Sequence, residues 1–218
     1  ITDGAYAYAT FDDYNYHPYG GGSDLPFILQ QQMTTDHTLV QTALDGTTIH
    51  SGGDGPESAI EGLFQGLTGV GYDQQADGIF DASTDVLPFI TDVDDAFNGV
   101  VSGSYDSAVP GTGVEGGYGF RDGSLPVIVY ATDAFLRDAD NPTYGTPLDA
   151  NFTAGSSDVI DASIDMGARL IGVATNTTFA VDQMTDLAVA TDSMYEADAD
   201  GLIDDPLVFT WSGSSLAF

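Results

Sequence analysis

This 218-residue sequence is defined first by what it lacks. It has no cysteine and no lysine, and its three basic residues stand against 34 aspartates and glutamates. The absence of cysteine excludes disulfide bonds and thiolate metal or redox sites. The net charge of −31 repels phosphate backbones and anionic lipids, which argues against nucleic acid and membrane-surface partners. Such a surface attracts divalent cations, or keeps a protein soluble in concentrated salt.

Signals for membrane insertion, secretion and common catalytic centres are also missing. No apolar run is long enough to span a bilayer, and no signal peptide is present. The chain begins with Ile1 rather than Met, which favours a piece of a longer chain. His17, His37 and His50 are scattered, and there is no His-Glu-x-x-His motif, nucleophile elbow or Walker loop. We therefore expect a protein that is not an enzyme.

Strand-like and helical patterns alternate along the chain. A continuous apolar run such as LPVIVYATD predicts a parallel strand covered on both faces, whereas apolar residues at helical spacing predict helices. The predicted strands span about 5–11, 126–132 and 168–174, and the main predicted helices lie near 57–67 and 180–190. This order predicts an α/β fold with a doubly wound, mostly parallel sheet flanked by helices, in one domain over residues 1–218.

Residues 71–124 interrupt this alternation. They are rich in glycine and aspartate and show neither a helical nor a strand period. So long an irregular segment inside a compact domain is usually functional or braced by metal. We therefore expect an insertion between a helix and the strand that starts near Leu125, rather than a linker between two domains.

Three motifs follow one another in a recognisable order: GGDGPESAIEGLFQGL at 52–67, VIVYATD at 127–133 and ARLIGVAT at 168–175. Their order resembles the von Willebrand factor A domain, and the acidic turn is most similar to the integrin β-subunit form. The resemblance implies an adhesion site in which Mg²⁺ binds at the carboxyl edge of the sheet. A partner's carboxylate completes the coordination of the ion. It places the family's first metal loop, Asp-x-Ser-x-Ser, before Ile1, because AYAYATF matches the family's second strand.

The resemblance assigns Asp133 to the third metal loop, and Asp54 and Glu57 to the second. Carboxylates at a strand end and a helix start can face one crevice in a doubly wound fold, and hard cations prefer clustered oxygen ligands. The alternative is a capping box, in which Asp54 caps the following helix and Glu57 returns the bond. The neighbouring glycines favour a close approach of the backbone to another group. The two interpretations are compatible.

Two acidic segments have the spacing of calcium loops. In EADADGLIDDP, alternate acidic residues precede a glycine where such loops turn sharply, and Leu207 stands where an EF-hand carries its bidentate glutamate. The segment resembles the open calcium loops of thrombospondin type 3 repeats, with a solvated turn as the alternative. Its candidate ligands are Glu196, Asp198, Asp200 and Asp204. A weaker version, for which a solvated loop is favoured, comprises Asp73, Asp77 and Asp81.

These observations predict a divalent-cation-dependent protein-binding or adhesion module of an extracellular or cell-surface protein, with Mg²⁺ or Ca²⁺ as cofactor. The expected partner is a protein ligand that presents a carboxylate, or neighbouring subunits of an extracellular assembly. Two alternatives remain open. One is a calcium-braced structural unit of such an assembly without an open adhesion site, and the other is an accessory domain of a hydrolase. Neither nucleic acid binding nor membrane insertion is expected.

Overall fold

The computed structural model describes residues 4–48, 53–89, 106–141, 153–175 and 178–211. These residues form nine strands and four helices. In chain order the elements are β1 (Tyr6–Thr10), β2 (Ile28–Thr34), α1 (His37–Asp45), β3 (Pro56–Glu57), α2 (Ala59–Thr68), β4 (Val127–Thr132), β5 (Phe135–Leu136), α3 (Ser156–Met166), β6 (Arg169–Thr175), α4 (Thr178–Ala190), β7 (Met194–Tyr195), β8 (Asp205–Pro206) and β9 (Val208–Trp211).

The main sheet consists of three parallel strands in the order β4-β6-β9. Helix α3 precedes β6 and helix α4 lies between β6 and β9, so each parallel step contains the helical crossover that parallel pairing requires. The prediction of an α/β chain with parallel strands and flanking helices is confirmed at this level. No described helix is long and apolar enough to cross a bilayer.

The predicted strand near 5–11 is confirmed as β1, but it lies in a different sheet. It pairs antiparallel with β2 in a two-stranded sheet, separate from β4-β6-β9 within the described part of the chain. Both sheets contribute to one core, because Ala5, Ala7 and Phe11 pack against the cluster that contains Ile128 and Tyr130. Within the described residues, the two sheets therefore share a core but are not joined by strand pairing.

The helix predicted near 57–67 begins at Ala59. Pro56 and Glu57 are in strand β3, which pairs in parallel with β5 through Pro56↔Phe135 and Glu57↔Leu136. This long-range pairing takes precedence over the local signal for a helix start. The other predicted strands and the helix near 180–190 agree with the structure within two residues.

The prediction that the strand near 126–132 is covered on both faces is wrong. Along β4 exposed and buried residues alternate: Val127 and Val129 are exposed, whereas Ile128 and Tyr130 are buried. Helix α4 packs on the buried side of the sheet. Its Met184 side chain lies where a Cβ on Gly172 would be. The continuous apolar run therefore forms a strand that is buried on one face of the sheet and exposed on the other.

The central core surrounds helix α2, which is buried on almost every side. Residues of the irregular segment pack directly against it: Gly117 donates its N–H to the Gly66 carbonyl, and the Tyr118 ring lies where a Cβ on Gly66 would be. Within the described parts of 71–124, at 71–89 and 106–124, there is no helix or named strand. In these described parts the segment has the irregular structure that the sequence predicts.

Helix α1 is a surface helix. None of its residues is fully buried, and Leu39 and Leu44 are exposed. The helix ends are nevertheless set locally, because the Asp36 side chain accepts a hydrogen bond from the Thr38 N–H at the N-cap.

Candidate functional site

Asp54, in the acidic turn, contacts a buried arginine, Arg137. Arg137 is 2% exposed and donates from Nε and Nη2 to the two carboxylate oxygens of Asp13, at 3.0 and 2.7 Å. Its Nη2 also donates to Asp54 Oδ1 and to the Pro56 carbonyl oxygen, the latter at 2.9 Å. The guanidinium carbon lies 4.3 Å from the centre of the Tyr19 ring. Arg137 is therefore the cation that these carboxylates surround, and we call this group the arginine cluster.

Backbone contacts hold the segments of the arginine cluster together. The Arg137 N–H donates to the Glu57 carbonyl at 2.7 Å, which extends the β3–β5 pairing by one bond. Gly53 donates its N–H to the Tyr19 carbonyl, and a Cβ at Gly53 would collide with the carbonyls of residues 18 and 19. At Gly53 the predicted close approach is therefore to this neighbouring backbone, whereas a Cβ at Gly55 would meet no atom within 4 Å.

Burial and charge act in opposite directions in the arginine cluster. Burial raises the pKa of the Asp13 carboxyl, and the hydrogen bonds and charge of Arg137 oppose that rise. Burial also disfavours the charged form of Arg137. The contacts of Arg137 with Asp13 and Asp54 outweigh this effect and raise the pKa of the guanidinium. Burial, followed by the nearby charge of Asp13, raises the pKa of Glu57 to about 7. Glu57 is thus the residue of the acidic turn whose charge changes near neutral pH.

The three residues predicted to bind one cation are not brought together as a three-carboxylate group. Asp54 is paired with Arg137, and Asp133 is exposed in the turn between β4 and β5. In the part of the chain that the structure describes, one group of three acidic side chains has oxygens within 4.8 Å of one another, and it lies elsewhere. A metal site at Asp54, Glu57 and Asp133 therefore stays a prediction.

The alternative interpretation, a capping box, is wrong. The N-cap of α2 is Ser58, which makes no side-chain capping bond. Its hydroxyl and its N–H instead donate to the Asp12 carbonyl, at 2.9 and 3.1 Å. Glu57 lies in β3 rather than in the first turn of the helix, so Asp54 and Glu57 do not cap it.

The group of three carboxylates found among the described residues lies in the predicted calcium loop. Glu196, Asp198 and Asp200 are all exposed and bring one carboxylate oxygen each within 4.8 Å of the others. The Asp198 carboxylate accepts the Asp200 N–H, and the Asp200 carboxylate accepts the Leu202 N–H. Asp204, the fourth predicted ligand, is exposed and outside the group. We call residues 196–204 the acidic hairpin loop, because they connect β7 to β8.

The weaker loop is organised by its own hydrogen bonds. Asp73 accepts the N–H groups of Gln75 and Gly78, Asp77 accepts that of Ile79, and Asp81 accepts that of Ser83. These three carboxylates do not form a group of three within the described residues. The arrangement agrees with the turn structure that the sequence favours for this segment.

Six buried charged residues of the described part of the chain were not identified from the sequence: Asp13, Asp24, Glu61, Asp85, Arg137 and Asp138. Glu61 is 2% exposed and accepts hydrogen bonds from the Ala154 N–H and the Gln65 side chain, both at 2.7 Å, and from the Tyr14 hydroxyl at 3.4 Å. The available signal for Arg137 was the scarcity of basic residues. With three of them against 34 acidic residues, each basic residue is a candidate for a specific role.

No protein-family model matches this chain, and no curated protein matches it either. The sequence and the described geometry are therefore the basis for any functional proposal.

The raised pKa of Glu57 predicts a pH-dependent stability. With a pKa of about 7 in the folded chain, against 4.5 for an ordinary glutamate, the folded state binds more protons between these values. Stability should therefore fall as the pH rises through this window, by about 1–2 kcal/mol after allowance for solvent screening. Urea unfolding of Glu57→Gln at about pH 4.5, 6 and 7.5 should show a flatter pH dependence than the parent. The exposed Glu115→Gln serves as control, and equal slopes in the parent and Glu57→Gln would contradict the prediction.

Proposed function

We propose that this chain is a calcium-braced module of an extracellular or cell-surface protein, with a doubly wound fold of the von Willebrand factor A type. The observation that carries the proposal is the convergence of Glu196, Asp198 and Asp200 in the acidic hairpin loop. Three carboxylates at this separation repel one another, and Ca²⁺ takes six to eight oxygen ligands in flexible geometry. The net charge of −31 raises the local cation concentration further.

The position of the acidic hairpin loop gives calcium a structural role. The loop joins β7 to β8, and Leu207, directly after β8, bonds to both Ser193 and Gly172 of the neighbouring segments. Strand β9 begins at the next residue and completes the parallel sheet. An ion that fixes the loop therefore fixes the entry of the chain into β9.

Calcium is expected to raise the melting temperature beyond the effect of ionic strength. For a dissociation constant of about 0.1–1 mM, about 10 mM Ca²⁺ adds roughly 1.5–3 kcal/mol, or several degrees in a chain of this size. The comparison is EDTA with CaCl₂, each at low NaCl and at high NaCl. The loss of the calcium increment in Asp198→Asn/Asp200→Asn is the expected result.

The matched control removes two exposed aspartates of helix α3, as Asp161→Asn/Asp165→Asn. Both double variants change the net charge equally, so a general screening effect would alter them alike. Equal calcium increments in the two variants would overturn the proposal.

A cation-dependent adhesion site is the second candidate function, and the environment of Glu57 favours it. Glu57 is not paired with Arg137 in the way that Asp54 is, and burial, followed by the charge of Asp13, raises its pKa to about 7. A divalent ion at this position would relieve the part of the rise that comes from neighbouring carboxylates. Mg²⁺ titration calorimetry on the parent, Glu57→Gln and Asp133→Asn tests it. Equal affinity in all three chains would exclude these two residues as ligands.

A further inference from the structure

A cavity lies between strand β2, the end of helix α2 and the irregular segment. Its volume is about 150 Å³. Residues of β2, of α2 and of the stretch 82–89 line it, and among the described residues the buried apolar side chains of this lining are Phe27, Leu29, Val86, Leu87 and Phe89. We call this space the apolar cavity.

The volume of the apolar cavity is unusual for a protein interior. Native cores contain few voids larger than a water molecule, because atoms beside a void lose their packing contacts on that side. A cavity of similar volume that is lined by leucine, isoleucine and phenylalanine excludes water and binds one molecule of benzene. The apolar cavity therefore has the size of a site for a single six-membered ring.

The polar side chains in the lining are already hydrogen-bonded within the protein. The Gln65 side-chain oxygen accepts the Gly71 N–H at 2.8 Å, and its NH2 group donates to the Glu61 carboxylate at 2.7 Å and to the Gly71 carbonyl at 3.0 Å. The Asp85 carboxylate accepts three hydrogen bonds from residues 74–84. A ligand with polar groups would lose its bonds to water here without full replacement, so an apolar ligand is favoured.

The aromatic side chains and the charge of the lining narrow the class of ligand further. Phe27 and Phe89 both line the apolar cavity, and aromatic rings pack favourably against one another in offset or edge-to-face geometry. Asp85 is buried beside the cavity, and the whole chain carries a net charge of −31, so an anion is disfavoured. These features favour a neutral aromatic molecule.

The apolar cavity has an opening at the surface. Ala82 belongs to the lining and is exposed, whereas Leu25 and Ile28 of the same lining are partly buried. A small molecule can therefore reach the cavity beside Ala82 while the core around it stays folded.

We propose that the apolar cavity binds a small neutral aromatic molecule of the size of a single ring. The rings of Phe27 and Phe89 and the aliphatic side chains provide the contacts, and no hydrogen bond to the ligand is required. The lining contains no residue of the acidic hairpin loop and no member of the arginine cluster, so this site depends neither on calcium nor on the proposed function.

The test titrates the intact chain with benzene in a calorimeter. We expect saturable binding with a dissociation constant of about 0.1–1 mM, in the range open to a ligand of so few atoms. Benzylammonium and benzoate carry the same ring with a positive or a negative charge, and both should bind more weakly than benzene. Naphthalene, with two fused rings, exceeds the volume of the cavity and should not bind.

Ala82→Phe should weaken benzene binding at least tenfold, because the larger side chain fills the opening of the apolar cavity. The matched control is Ala190→Phe, at an exposed alanine that ends helix α4, and it should leave the affinity unchanged. Circular dichroism checks that both variants are folded. If Ala82→Phe does not fold, the smaller Ala82→Leu takes its place.

Three results would overturn the proposal. The first is the absence of saturable benzene binding to the parent chain, which would show that the cavity is closed to ligands. The second is equal affinity for benzene in the parent and in Ala82→Phe, which would place the binding elsewhere. The third is tighter binding of benzylammonium than of benzene, which would show that attraction to carboxylates, rather than the apolar lining, selects the ligand.

Discussion

Arg137→Met is expected to lower the free energy of unfolding by about 3–5 kcal/mol, the largest effect of any single change considered for this chain. The side chain is buried and pairs with Asp13, which is also buried, and with Asp54. Its removal leaves carboxylates in a poorly solvated site with no counter-ion, and that loss exceeds the value of the pair itself. Urea unfolding at neutral pH measures the difference.

The matched control is Arg169→Met. Arg169 is partly exposed and its 3.4 Å contact with Asp192 is at the surface, so a loss below about 1 kcal/mol is expected. Arg137→Met/Asp13→Asn should be more stable than Arg137→Met alone, because it removes the uncompensated buried charge. Similar losses for Arg137→Met and Arg169→Met would contradict the description of the arginine cluster.

The arginine cluster places a protein cation beside Asp54, one of the residues predicted to bind a metal ion. Arg137→Met leaves the carboxylates of Asp13 and Asp54 and the carbonyl oxygen of Pro56 around a position without positive charge. Such a set of oxygens suits Ca²⁺. Calcium should therefore restore part of the stability of Arg137→Met, and a lack of restoration would show that the guanidinium geometry is required.

Glu61→Leu is expected to destabilise the fold by about 2–4 kcal/mol. The Glu61 carboxylate joins α2 to the segment before α3 through the Ala154 N–H, and to the loop after β1 through Tyr14. Leucine is similar in size but accepts no hydrogen bond, so the buried Ala154 N–H loses its acceptor. Chemical denaturation of the variant and the parent under the same conditions provides the measurement.

Glu61→Gln removes the charge and keeps one acceptor oxygen for the Ala154 N–H, but its NH2 group replaces the oxygen that accepts from Gln65. A loss of about 1–2 kcal/mol, smaller than that of Glu61→Leu, is expected at neutral pH. Burial raises the pKa of Glu61, so the folded state binds the proton more tightly and stability falls as the pH rises above the ordinary glutamate range. Glutamine removes this contribution. A loss in Glu61→Gln as large as that in Glu61→Leu would show that the side-chain oxygen does not carry the effect.

Local sequence determined most of the regular elements. The apolar run at 127–132 and the helical stripe of α4 are recognisable within short windows, and Met184, Leu187 and Ala188 are buried as their spacing predicts. The grouping of Glu196, Asp198 and Asp200 is also local, because alternate residues of one short loop cannot lie far apart. The predicted α/β class follows from the same short-range patterns.

Only the tertiary structure decided which charges are buried and which surfaces are exposed. Arg137 meets Asp13 and Asp54 across 124 and 83 residues of sequence, a distance at which no local period operates. Pairing of β3 with β5 placed Glu57 in a strand, although its neighbours carry helix-start signals. Val129 and Tyr130 belong to one apolar run, yet packing on a single side of the sheet exposes the first and buries the second. The type of a residue sets its tendency to be buried. Long-range packing decides which residues are covered by neighbouring elements.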